Sequence, residues 1–141
     1  MTMATRKTTR KTPQTTRTTT AALAYAADAA CVVLFCTIGR RNHAEAVTLA
    51  GVAETAWPFL AGLTVAWLLT RAWRQPTAVW PTGVILWLGT IAIGMGLRAV
   101  TGAGIAASFI LVATAVTGAL LLGWRAAAGR AGYGAAGTSR D

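Results

Sequence analysis

Four acids and one histidine stand among 141 residues, so the side chains able to do chemistry can be weighed one at a time. Asp28 and Glu54 both interrupt long apolar runs. An acid at the middle of a membrane helix costs about 2.5–3.5 kcal/mol on insertion scales, and is kept either for an ion route or for an internal partner. Asp28 therefore reads as a proton or cation site, or as an interfacial acid facing Arg71, Arg74 or a backbone amide. The second is the expectation. Glu54 stands four residues before Pro58, whose ring displaces the carbonyl of residue 54 from the helical ladder. A kink there would set a free acceptor beside a carboxylate and the Thr55 hydroxyl. Gly51, Thr55, Pro58 and Gly62 form a small, polar face suited to close packing, and the same face could hold a ligand, an ion or water.

A second group gathers around the other charges. Gly83, Trp87, Thr90, Gly94 and Arg98 share one helix face at 3/4 spacing, so Arg98 is expected to pair with Glu54 or Glu45 or to reach water. Arg40, Arg41 and His43 complete an outer cluster of three arginines, one histidine and two glutamates. Such a cluster can bind an anion or sense pH, since histidine titrates near 6.5. A short hydrophilic loop between two helices is the plainer account of it. Asp28, Glu54, Thr55, Pro58, Arg98, Arg40 and His43 are thus the candidates for a ligand or ion pathway.

Other chemistry finds no footing. Cys31 and Cys36 are five apart on a helix and face different ways, which suits neither a bridge nor a metal pair. One histidine does not build a zinc site. There is no phosphate loop, dinucleotide fingerprint, HExxH or nucleophile elbow. No catalytic residue, metal or cofactor is expected, and the chain is read as no enzyme.

The elements that must position these residues follow from composition. Hydrophobic residues make up 55% and charged residues 12%, against about 25% charged in soluble domains, and mean hydropathy is +0.53. Four apolar runs, 21–39, 47–70, 77–97 and 105–124, each approach the roughly 20 residues that a helix needs to cross a bilayer core. Backbone in lipid must satisfy its own hydrogen bonds, and strand alternation is missing, so the runs are helices. The connections are short and force neighbours antiparallel. The expected fold is an all-α, four-transmembrane-helix antiparallel bundle.

The flanks are different. Residues 1–20 hold ten threonines and five basic residues without an acid, a composition that favours disorder. Residues 125–141 are rich in glycine and alanine and are expected to form a flexible tail. The first run is read as a membrane helix rather than a cleaved leader, because Asp28 interrupts it and Arg40-Arg41 precede the only cleavage-like stretch.

Net charge is +9, and its distribution sets an orientation. With the N-terminus inside, ten basic residues fall on the cytoplasmic side and Arg40, Arg41 and Arg98 fall outside. Both termini are therefore expected in the cytoplasm. Trp67, Trp73, Trp80 and Trp124 fall near the cytoplasmic interface and are expected to anchor there; Trp57 and Trp87 lie within the spans. The partners expected are the lipid bilayer and either further copies of the chain or another membrane protein. No nucleic acid is expected, since the basic tail lies nearer to anionic lipid.

Asp28, Gly39-Arg40 with His43, Thr55-Ala56-Trp57-Pro58-Phe59, Trp80-Pro81-Thr82-Gly83, Gly94-Met95 with Arg98, and Gly123-Trp124-Arg125 together resemble the small bacterial membrane proteins grouped as domain of unknown function 3054 (DUF3054). The resemblance runs from Ala22 to Arg125 and leaves both tails outside. It implies an integral membrane protein of a kind frequent in actinobacteria, and the preference for Arg over Lys suits a GC-rich genome. It implies no activity and no catalytic residue. The function expected is a non-enzymatic accessory or scaffold membrane protein; the alternative is a small oligomeric transporter or channel working through Asp28 and Glu54.

Overall fold

A computed structural model of the chain describes residues 14–137, and the greater part of the threonine-rich stretch lies outside them. Within that range four helices follow one another: α1 (Gln14–Asn42), α2 (Leu49–Thr70), α3 (Val84–Val100) and α4 (Ala107–Gly137). All four are long and apolar enough to cross a membrane once α3 is counted from Val79. They form a ring in which α2 lies against α1 and most extensively against α3, while α4 closes the circle against α3 and α1.

Local chemistry sets most of the boundaries. Thr48 caps α2 by accepting the Gly51 amide at 3.0 Å, which satisfies one of the unpaired donors of a helix start. Arg71 ends α2 in the left-handed conformation, φ 50°. The third run begins its regular helix later than position 77 because Trp80, at φ −120° and ψ 135°, is extended. Residues before proline are pushed out of the α region, and Pro81 follows directly. The α3–α4 connection turns through Gly102 and Gly104, both at positive φ.

At both flanks a helix runs past its apolar run. The stretch 14–20, assigned to a disordered tail, is the first part of α1, and the Thr20 hydroxyl donates back to the Thr16 carbonyl at 2.9 Å. The stretch from residue 125, assigned to a flexible tail, continues α4 to Gly137. Alanine is the best helix former, and six alanines stand between positions 126 and 136. Arg125 adds a tertiary anchor.

The core has two layers. Towards the loop end Phe59 touches Phe35 edge-on at 5.8 Å between ring centroids, and Phe109 completes the triad at 6.3 Å from each. Nearer the termini Val32, Leu63, Leu86 and Leu121 are buried. Close approach of α2 and α3 rests on Gly62 and Gly94, since a Cβ at Gly62 would stand 3.0 Å from the Thr90 carbonyl and one at Gly94 2.5 Å from the Phe59 ring. Buried Gly83, Thr90 and Gly94 confirm the inward face expected for the third run. The outward face is apolar as well: Leu23, Leu68, Leu69, Leu88 and Leu111 are each at least half exposed. A bundle apolar outside as well as inside is built for a lipid surround.

Candidate functional site

Polar side chains collect at the two ends of the ring. One end is built from the first half of α1, the last turns of α2, the middle of α4 and the α2–α3 connection. There α1 supplies Asp28, which is fully buried. Its carboxylate faces Arg125, also without exposed side-chain surface, in a bidentate pair: Nη1 to Oδ1 and Nη2 to Oδ2, each 2.7 Å. Two indoles complete the shell, Trp124 donating to Oδ1 at 2.8 Å and Trp67 donating to Oδ2 at 2.9 Å. Parallel N–H donors matched to both oxygens are the strong form of a charge-assisted contact.

Arg125 is satisfied in turn. Its Nε donates to the Pro76 carbonyl at 3.0 Å and its Nη1 also donates to the Leu121 carbonyl at 3.0 Å. The guanidinium lies 4.5 Å from the centre of the Trp124 ring. Gly83 makes room for the stem, since a Cβ there would stand 2.9 Å from Arg125 Cδ. Tyr25 braces the group, edge-on to Trp67 at 5.5 Å and hydrogen-bonded to Thr64 at 2.7 Å. One carboxylate thus ties α1 to α2 and α4, and its arginine ties α4 to the α2–α3 connection.

The sequence reading placed Asp28 opposite Arg71, Arg74 or an amide. Both of those arginines are exposed, and the true partner is Arg125, assigned above to a tail. Trp67 is 6% exposed and Trp124 half-buried, and the indole of each donates to Asp28 inside the bundle. Trp73 and Trp80 stand exposed beside the α2–α3 connection. Trp87 finds its reason as well: it lies on Gly118 and donates to the Thr114 carbonyl at 2.9 Å. Trp57 is 44% exposed on α2.

The opposite end is built from the last turns of α1 and α3 and the first turns of α2 and α4. Arg40 ends α1 and folds back over the α1–α2 loop, its Nε and Nη2 donating to the Ala46 carbonyl at 3.1 and 3.0 Å. Arg98 does the same at the end of α3, donating from Nε to the Gly104 carbonyl at 3.2 Å and from Nη2 to the Ala103 carbonyl at 3.0 Å. Each arginine thus closes a loop on the carbonyl six residues ahead, at a helix C-terminus where positive charge is favoured. Arg40 also donates from Nη1 to the Thr55 hydroxyl at 3.0 Å and pairs with Glu45 at 2.9 Å.

The pairings expected here divide. Arg98 meets neither Glu54 nor Glu45; it lies 4.5 Å over the Phe109 ring instead. Glu54 is exposed, with no hydrogen bond or ion pair among the described residues. Pro58 and Gly51 are buried, and Arg40 lies across Gly51, so that face of α2 serves packing. Arg40, His43, Thr55 and Arg98 do come together, around one cavity between the helix ends. Among the described residues no group of three or more metal-ligating side chains occurs.

A family model described as "Protein of unknown function (DUF3054)" matches residues 25–128, a span that contains Asp28, Trp67, Trp124 and Arg125. No curated protein and no solved structure matches the chain.

Proposed function

The chain belongs to the DUF3054 family, and we propose that it is a non-enzymatic accessory or scaffold protein of the bacterial cytoplasmic membrane. One observation carries this reading: the intramembrane acid Asp28 is held by four donors and has no exposed surface. An acid that carries protons or cations must exchange partners with its cargo. Asp28 would have to break two charge-assisted bonds and two indole bonds to do so, each hydrogen bond to a charged group being worth about 1.5–3 kcal/mol. Its geometry suits an acid that fixes how helices pack.

We read both termini as cytoplasmic. Arg125 now belongs to the bundle and is neutralised by Asp28, which leaves nine basic residues on the termini side against three on the other. The bias required for orientation persists.

The alternative, an oligomeric transporter or channel, draws its support from Glu54, an exposed acid five residues into α2 with no partner among the described residues. Reconstitution separates the two. In proteoliposomes carrying a pH-sensitive dye, the scaffold reading expects no proton flux above empty vesicles under an imposed gradient. Flux in the unaltered protein that disappears in Asp28→Asn or Glu54→Gln would establish transport instead. For the orientation, a phosphatase fused after residue 141 is expected to be inactive, and activity only outside the cell would reverse it.

A further inference from the structure

At the end of the bundle away from Asp28, a cavity of about 460 Å³ opens between the last turns of α1 and the first turns of α4. Ligand pockets commonly enclose about 300–1,000 Å³. Phe35, Cys36 and Phe109 give it an apolar floor, Val112 stands on its wall, and its rim carries Arg40 and Arg98. The two rim cations are not equivalent. Arg40 has its counter-ion in Glu45, 2.9 Å away. Arg98 has no carboxylate partner among the described residues, and its Nη1 makes no hydrogen bond there. The rim thus holds one positive charge more than it neutralises, directly above hydrocarbon and aromatic side chains.

The ligand that meets both conditions is an anion with an apolar body. A bare inorganic anion would leave the floor wet, and a neutral apolar molecule would leave the guanidinium unpaired beside a surface stripped of water. A cation would be repelled by the surplus positive charge of the rim. The Ser108 hydroxyl, also on the lining, adds hydrogen-bonding capacity. We propose that this cavity binds an anionic amphiphile, its carboxylate or phosphate on Arg98 and its apolar part against Phe35, Phe109 and Val112. The proposal does not depend on whether the protein is a scaffold or a transporter.

The test uses the full chain in a neutral maltoside detergent, titrated with oleate, with phosphatidylglycerol and with phosphatidylcholine of the same acyl chains, and read by native mass spectrometry. An anionic probe is expected to be retained about tenfold more tightly than phosphatidylcholine, the equivalent of one charge-assisted hydrogen bond. Retention of phosphatidylglycerol alone assigns the site to a membrane lipid head, and retention of oleate alone to a free carboxylate amphiphile. Arg98→Gln should remove the preference for the anion. Because Arg98 also closes a loop, a second variant fills the cavity: Val112→Trp, at a half-exposed position on its wall, should weaken binding about tenfold. Leu111→Trp, one residue away and outside the lining, should bind as the unaltered chain does. Equal retention of phosphatidylcholine, or unaltered binding by Val112→Trp, overturns the proposal.

Discussion

The two ends of the bundle use the same chemical pair, an arginine and a carboxylate, to opposite effect. At the Asp28 end both side chains have no exposed surface, whereas at the loop end Arg40 is 16% and Glu45 55% exposed. A buried pair gives up hydration worth several kcal/mol per ion and recovers it only if every lone pair and N–H is matched. The Asp28 end comes close to that condition, with four donors on the carboxylate and four of the five arginine N–H groups on acceptors. The loop end keeps its charges near water and leaves Arg98, on the cavity rim, without a carboxylate among the described residues. Saturation makes a fastener; incomplete pairing leaves a place for something else.

The largest test of this contrast removes one partner at the sealed end. Arg125→Met strands a buried carboxylate, and loss of one member of a buried pair typically costs about 3–5 kcal/mol. The expected result is a large drop in the thermal midpoint in detergent, followed by fluorescence-detected size exclusion. The double variant Asp28→Asn with Arg125→Met should recover much of that loss, since no unpaired charge is left. If the single variant melts with the unaltered chain, the sealed end is no fastener.

The indoles sharpen the same point at a smaller scale. Trp67→Phe or Trp124→Phe keeps an aromatic ring but deletes one N–H donor to the carboxylate, a loss of about 1.5–3 kcal/mol. Trp80→Phe, 73% exposed, serves as the comparison and should melt unchanged in the same assay. A drop at Trp80 equal to those at Trp67 and Trp124 would mean that ring volume matters and the N–H does not.

The same contrast explains what the sequence revealed. Apolar runs near 20 residues announce membrane helices without ambiguity, because lipid imposes one length and one hydrogen-bonding rule. Asp28 stood out for the same reason: an acid in such a run demands a partner. Its partner carries no such mark, because Arg125 directly follows the last apolar residue of its run, where a helix-flanking arginine ordinarily snorkels to water. Only three-dimensional packing brings residues 28 and 125 together across 97 positions of chain. The Gly123-Trp124-Arg125 element of the family resemblance was the one available signal. At the loop end the residue types were legible and their pairings were not, since short loops allow several. Backbone carbonyls won Arg98, and carbonyls carry no mark in a sequence.

Between the ends, the helices depend on shape rather than charge. Gly94→Ala would push a Cβ to 2.5 Å from a carbon of the Phe59 ring, which is fully buried. Overpacking of this kind costs about 1–3 kcal/mol. Gly96, two residues on, has nothing within 4 Å of the same added atom. Gly96→Ala should be neutral or slightly stabilising, because a helical glycine costs roughly 0.5–1 kcal/mol relative to alanine. The difference between the two melting points separates packing from helix propensity, and equal shifts would remove the α2–α3 contact as its cause.

The smallest effect is expected where the ion pair is most exposed. Glu45→Gln deletes the counter-ion of Arg40, yet exposed pairs contribute only about 0–1 kcal/mol. Arg40 keeps the Ala46 carbonyl and the Thr55 hydroxyl, so the loop has no reason to open. The melting point should stay near that of the unaltered chain. The charge at the rim, however, rises by one, with Arg40 then as free of a carboxylate as Arg98. An anionic amphiphile should therefore bind Glu45→Gln at least as tightly as the unaltered chain, and more strongly at low ionic strength, where screening is weaker. A stability loss as large as that of Arg125→Met would show that the loop end is fastened too, and the distinction between the two ends would fail.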